Sequence, residues 1–410
     1  MFLTDEEKRM LNGECGEPLR FAMEMLATLG EINDAEKMIP VKYAHVAGLS
    51  FKTHGIAGML WAEDMADKGA KVRVPTTYNV SAVDRSRDLG QPEHWTTHQL
   101  RIGQAYERMG VYGTSSCVPY LYGFVPLLGE SVAWAESSAV TFCNSVLGAR
   151  DNREGGPSAL AAALAGRTAD YGMHRKENRY GDILYDVKVP IRSYSDYGAL
   201  ATYVGKQINA LKPVFTGLQR PGMADLVSLS CGLATVSNST MFHAVGITPE
   251  APDLATAFGG KTNYETVEIG PKELAKGYEL LHHGQNRNVD YVAIGCPHAN
   301  IEQIQEVAEL LDGRKVKDGV IFLIHTNIQN KAAARQFGFL DTIEKAGAVL
   351  TQDFCTPLGD PEDFGVKVMA TDSSRCAFYG PHNNGFDVWF GSSAQCVEAA
   401  VKGYWEFDNY

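Results

Sequence analysis

Tyr291-Val-Ala-Ile-Gly-Cys-Pro-His-Ala299 decides the fold. Four apolar residues, too few for a helix, run into a glycine, and a period-3.6 apolar pattern follows over Ala299–Leu311. This is the signature of a buried strand, a tight turn and an amphipathic helix. Gly319-Val-Ile-Phe-Leu-Ile324 repeats the strand, Lys331–Ala346 the helix, and Ala348–Leu350 and Val366-Lys-Val-Met-Ala370 add two more strands. Strands alternating with helices at this spacing form a parallel, doubly wound sheet. Residues 285–410 therefore read as a C-terminal doubly wound lobe, and residues 1–284 as N-terminal and middle α/β lobes.

The same alternation extends upstream. Thr4 with Glu7 forms a capping-box pattern, and Pro18–Leu29 reads as a helix ending at Gly30. Ile39–Ala47 and Ala70–Val74 read as strands, the second opening into a Pro75-Thr-Thr-Tyr-Asn79 loop. Helices are expected near Ile56–Lys68 and Thr96–Arg108, over Trp134–Leu147, and over Ser158–Ala165 behind Pro157. The 41 glycines among 410 residues suit a chain with many strand-to-helix turns. The whole is α/β.

The charge balance is 37 Lys plus Arg against 49 Asp plus Glu, a net charge of −12, with no basic run in the sequence. This argues against nucleic acid as a partner. No apolar run reaches the roughly 18 residues of a membrane span. The charged start Met1-Phe-Leu-Thr-Asp-Glu-Glu-Lys-Arg lacks a signal-peptide core. The chain reads as cytoplasmic. Its 8 cysteines, thinly spread, do not resemble a secreted disulfide scaffold.

Three cysteines share a context. Cys117 lies in Ser115-Ser-Cys-Val-Pro, Cys296 in Ile294-Gly-Cys-Pro-His and Cys355 in Asp353-Phe-Cys-Thr-Pro, each with a proline one or two residues on. Cys296 and Cys355 stand just beyond predicted strands, where open α/β sheets gather ligands. Three such thiolates can hold a metal or an iron–sulfur cluster and leave one coordination position open. Spacing alone leaves the alternative of three packed thiols open. Cys143, Cys376 and Cys396 read as core, and Cys231 is ambiguous. Asn152-Arg153-Glu154-Gly-Gly-Pro combines a bidentate cation with a glycine-rich helix start, the chemistry of an anion site or of a plain surface loop. Thr76, Thr77 and Asn79 offer polar groups for orienting a substrate, or simple turn chemistry. His298, two residues after Cys296, is a candidate acid or donor. The sequence has no nucleophile elbow or P-loop and no convincing dinucleotide fingerprint.

These segments resemble the aconitase X family, the compact branch of the aconitase superfamily. The resemblance rests on Ser116-Cys-Val-Pro-Tyr-Leu, Gly129-Glu-Ser-Val-Ala-Trp-Ala-Glu-Ser-Ser138, Asn144-Ser-Val-Leu-Gly-Ala149, Asn152–Pro157, Gly295-Cys-Pro-His298 and Asp353-Phe-Cys355. It implies an aconitase-like catalytic core of several α/β lobes with parallel sheets, acting as a hydro-lyase on a small hydroxy acid. Cys117, Cys296 and Cys355 fall on the family's cluster cysteines, for a 4Fe-4S or 2Fe-2S centre with an open iron position. Family members dehydrate cis-3-hydroxy-L-proline or mevalonate 5-phosphate, and the first is favoured slightly here. For such a reaction Arg153, with Asn152 behind it, is the expected anchor for the substrate's anionic group, Thr76, Thr77 and Asn79 orient its remaining polar atoms, and Glu154 could meet the ammonium of hydroxyproline.

The resemblance also implies that a smaller swivelling domain, fused in some members and a separate small subunit in others, completes the active site and supplies a catalytic serine as base. The chain stops at Tyr410, soon after the last recognisable segment, so a small partner subunit is expected. Two positions depart from the family pattern: Cys143 stands where a small residue is expected, and Phe354 where threonine is expected. A non-catalytic cluster-binding subunit and a zinc lyase on the same thiolates are the rival readings.

Overall fold

A computed structural model describes residues 1–359 and 361–407. The chain divides into two compact units. The first comprises residues 1–80, 93–182 and 240–263, and the second residues 81–92, 183–239 and 264 onward. The C-terminal lobe expected from the sequence lies within the second.

In the first unit, β1 (Ala44–Val46) is the centre of a parallel sheet between β2 (Thr76–Tyr78) and β3 (Ala133–Trp134). Behind it lies α1 (Gly156–Ala165), every residue of which from Ser158 onward is buried. Small side chains let this helix approach closely. A Cβ on Gly156 would lie 2.3 Å from the Ala47 carbonyl oxygen, so only glycine allows the helix to start where it does. The Thr4–Glu7 capping box is present, and the next helix runs Glu17–Ile32, through Gly30.

Two expectations for this unit are corrected. Ala70–Val74 is not a strand, because its backbone donors are taken elsewhere. Val72 N–H donates to Met109 O and Arg73 N–H to Ala163 O, and the strand forms one step later at Thr76–Tyr78. Nor is Trp134–Leu147 one helix. Trp134 closes β3, the Glu136 carboxylate caps a helix over Ser137–Phe142, and a π-helical turn follows over Cys143–Leu147.

The second unit holds two parallel sheets. In one, β4 (Ile183–Val187) lies between β5 (Pro213–Thr216) and β6 (Glu265–Ile269). The other carries the stretch that decided the fold. Its strands are β7 (Tyr291–Ile294), β8 (Ile321–Thr326), β9 (Val349–Gln352), β10 (Val368–Thr371) and β11 (Asp387–Phe390), all parallel, in the order β9-β8-β7-β10-β11. The sequence pattern supplied four of them; β11 completes the edge.

The sheet builds out on both sides of β7, so its topological switch point falls between β7 and β10, where such sheets bind ligands. The expected helix Lys331–Ala346 is two helices, α2 (Ile328–Gln336) and a second over Phe339–Ala346, broken at Gly338 with φ +83°. Among the described residues no helix is long and apolar enough to cross a membrane.

Gly295 has φ +89°, and a Cβ there would lie 2.2 Å from the His325 carbonyl oxygen. Gly295→Ala is expected to cost about 2–4 kcal/mol, as strain and overpacking do together. Urea denaturation should show a lowered midpoint with little change in slope.

Candidate active site

Each unit presents a cluster of polar and thiol groups at the carboxyl edge of its parallel sheet. In the second unit, Gly295 turns the chain out of β7 and delivers Cys296, which is buried. Its carbonyl accepts hydrogen bonds from the Ser373 hydroxyl, just beyond β10, and from Tyr194 OH. The Cys296 sulfur is in hydrogen-bonding contact with the thiols of Cys355 and Cys376. Those two contacts, helped by the Arg375 charge, hold the Cys296 thiol well below the usual thiol range. The same contact and burial push the Cys376 thiol well up.

The structure therefore brings two of the three expected ligand cysteines, Cys296 and Cys355, together in one unit. It adds Cys376, which the sequence assigned to the core. The missed signal is positional. Cys376 follows β10 by five residues, in the helix Ser374–Asn384, as Cys296 and Cys355 follow β7 and β9. Among the described residues no group of three or more His, Cys, Asp or Glu side chains stands ready-made to hold a metal ion. The donor chemistry nevertheless fits a soft metal cluster: thiols from separate strand ends, one with its thiolate form favoured.

The Cys355 loop is fastened by a buried ion pair. Asp353 is fully buried at φ +68° and receives Arg85 Nε at 3.0 Å and Nη2 at 3.1 Å. Its carbonyl accepts from Ser81 N–H at 2.9 Å, and the Asp84 carboxylate accepts from Gln352 N–H, also at 2.9 Å. Phe354, the departure from the family pattern, is fully buried against the His325 ring with centroids 5.5 Å apart. His298 is buried, its Nε2 is 3.2 Å from the Phe354 carbonyl oxygen, and burial lowers its pKa.

In the first unit, Ser116 N–H donates to Tyr78 O at 3.1 Å, which seats the buried Cys117 at the carboxyl end of β2. Thr76 and Thr77 lie inside β2 rather than in a loop. The Thr76 hydroxyl donates to Val74 O, and Thr77 Oγ1 lies 2.7 Å from His45 Nδ1. Asn79 Nδ2 donates to Glu136 at 2.8 Å. Asn152 spans Tyr171 O and Met173 N–H. Glu154 accepts from the Ser158 hydroxyl at 2.5 Å, and burial raises its pKa. Arg153 is exposed at the approach to α1. The sequence did not single out His45, which is fully buried with no hydrogen-bond partner for Nε2 among the described residues; burial lowers its pKa to about 4. Cys143, the other departure, is a buried thiol whose pKa burial pushes well up.

Three family models match consecutive parts of the chain: the aconitase X first domain over residues 1–177, the second over 181–279 and the third over 289–402. The chain belongs to the aconitase X family. The crystal structure of Thermococcus kodakaraensis aconitase X in its holo-form is 35% identical with a TM-score of 0.90, over 98% of this chain and all of that one. The phosphomevalonate dehydratase large subunit of Methanothermobacter thermautotrophicus is 39% identical over 390 residues, which is 95% of this chain and 96% of that protein. The cis-3-hydroxy-L-proline dehydratase of Pseudomonas aeruginosa is 35% identical over 97% of this chain and 69% of its own length. This aconitase X chain is accordingly a carbon–oxygen lyase of the dehydratase class.

Two measurements check the site's physical chemistry. Asp353→Asn leaves a partly exposed Arg85 facing a neutral partner and should cost about 1–3 kcal/mol, less than a fully buried pair would because water reaches the guanidinium; calorimetric unfolding reads it. His45 binds its proton near 6.5 when unfolded and near 4 when folded. Its contribution is complete above about pH 6.5 and is lost as the pH falls towards 4, by about 3 kcal/mol in all. His45→Asn should flatten that part of the stability–pH curve.

Proposed function

We propose that this chain is the catalytic large subunit of an iron–sulfur dehydratase that eliminates water from a small hydroxy acid. In this reading mevalonate 5-phosphate is the substrate. The observation that carries it is the 39% identity to a phosphomevalonate dehydratase large subunit along nearly the whole of both chains. The second reading, cis-3-hydroxy-L-proline, has the 35% identity to a dehydratase of that amino acid in its favour. All eight cysteines are free thiols, which suits a reducing, cytoplasmic setting.

Cys117, Cys296 and Cys355 are the residues that would hold the cluster, with Cys376 beside Cys296. When bound, the cluster supplies a Lewis acid for a departing hydroxyl. The chain's own groups do the rest. Arg153, with Asn152 behind it, anchors an anionic group of the substrate, and Asn79 orients its remaining polar atoms. His298, whose Nε2 lies against the Phe354 carbonyl oxygen, donates towards the departing oxygen from Nδ1, and so only in its protonated form. Glu154, Thr76 and Thr77 act one layer back, because one Glu154 oxygen and both threonine hydroxyls are already engaged within the first unit. The base that removes the carbon-bound proton comes from a small swivelling subunit, so the large subunit alone holds substrate without turning it over. Confinement of base, proton and leaving group then contributes to the rate.

The test is anaerobic reconstitution with iron and sulfide, then assay with the small subunit on both substrates. Water loss from mevalonate 5-phosphate is expected, and loss from hydroxyproline alone would reverse the substrate order. Cys117→Ser, Cys296→Ser and Cys355→Ser should each lower bound iron and its visible absorption sharply, and Cys396→Ser should not. Full iron in all three variants would remove the ligand assignment.

A further inference from the structure

The second unit contains a cavity of about 440 Å³ whose lining includes none of the cysteines. It is lined by Ser86, Arg87, Lys331, Arg335, Glu344 and Gln352, together with the small apolar surface of Ile328 and Ala332. Three of these side chains are cationic, in a chain whose net charge is −12. Lys331 and Arg335 are four residues apart on α2 and so share a face. Arg87 comes from the 81–92 segment, which the Arg85–Asp353 pair fastens to the β9 end.

Lys331 is the informative residue. It is only 8% exposed, and its ammonium makes one hydrogen bond, to Ser86 Oγ at 2.9 Å. No carboxylate among the described residues lies within ion-pair distance of it. Burying a cation without a counter-ion is costly, and burial does lower the Lys331 pKa. Arg335 likewise makes no ion pair among the described residues. Arg87 reaches Glu344 only at 4.0 Å, with both side chains exposed, a contact worth little and easily exchanged. Asp84, whose charge also acts on Lys331, is spent on Ser86 and on Gln352 N–H. The cavity thus carries two guanidinium forks, an ammonium and a hydroxyl, against one rim carboxylate.

We propose that this cavity is a phosphate-binding site for the dianionic group of a phosphomonoester. Two forks and a point charge match three non-bridging oxygens, and the charge they offer exceeds what a single carboxylate needs. The volume leaves room for the carbon chain that carries the phosphate. Gln352 in its wall is the last residue of β9, three residues before Cys355. The site rests on the cavity itself. Its assignment to the substrate's own phosphate rests also on the dehydratase reading.

Isothermal titration of the full-length chain with inorganic phosphate separates the two. Saturable binding is expected, weakened at least tenfold by Arg335→Ala and by Lys331→Met and unchanged by Lys402→Met, an exposed control. Arg335 is exposed, so its replacement keeps the test open should the Lys331 variant fold poorly. No saturable binding, or equal binding in all three variants, overturns the proposal whatever the enzyme does. With the small subunit present, a raised KM for mevalonate 5-phosphate in Arg335→Ala, at nearly constant kcat and with phosphate competing, supports the site as the seat of the substrate's phosphate. A phosphate effect on rate that Arg335→Ala removes, with KM unaltered, supports it as the seat of a free phosphorylated effector.

Discussion

A carboxylate with no exposure to solvent must be paired or protonated, and Asp353 meets that requirement through Arg85. Much of the second unit's carboxyl edge depends on this pair. Asp353 lies between Gln352, the last residue of β9, and the Phe354-Cys355 turn. Arg85 lies in a segment far away in the sequence. Their two-fork contact, with the Ser81–Asp353 and Gln352–Asp84 bonds beside it, makes a single anchored wall of two loops. One side of that wall carries the Cys355 thiol next to Cys296, and the other lines the basic cavity. Loops are usually the soft part of an α/β fold, but here a charge pair and backbone hydrogen bonds tie two of them together.

The first unit is built on a different economy. Most of its candidate polar groups are paired within the unit: Thr77 with His45, Asn79 with Glu136, Asn152 with two backbone groups, Glu154 with Ser158; Glu154 Oε1 and His45 Nε2 have no hydrogen-bond partner among the described residues. Such paired groups hold their positions without a ligand, which is the preorganisation that orienting residues need. The neutral, buried His45 extends the pattern, since burial disfavours a proton on its second nitrogen near neutral pH.

Much of the architecture was legible because it rests on local patterns. The β7 and β8 strands are short runs of apolar residues, the following helix has an apolar stripe, and the connections are glycine-rich. The misreadings fall where a long-range partner overrides the local pattern. Val72 and Arg73 look strand-like but give their N–H groups to a turn and to a helix end. Trp134 looks helical but is captured by the β1 edge and by Asp151. Gly338 splits a helix that periodicity alone would continue.

For the site, sequence alone marked Cys296 and Cys355 through a simple rule, a cysteine and a proline just past a strand. That rule works because strand ends in a parallel sheet share one edge. The family resemblance then gave these residues a chemistry; the family models support it at the level of the family, and the relatives at the level of the dehydratase class. Only the tertiary structure could place Cys376 beside Cys296, since helix periodicity says nothing about what a helix's first turn faces. Only it could gather Arg87, Lys331 and Arg335 into one cavity, because no basic run exists in the sequence and two distant segments must meet to make the charge. Patterns within one element are written locally, whereas electrostatic fields and thiol clusters arise between elements and exist only after the chain has folded.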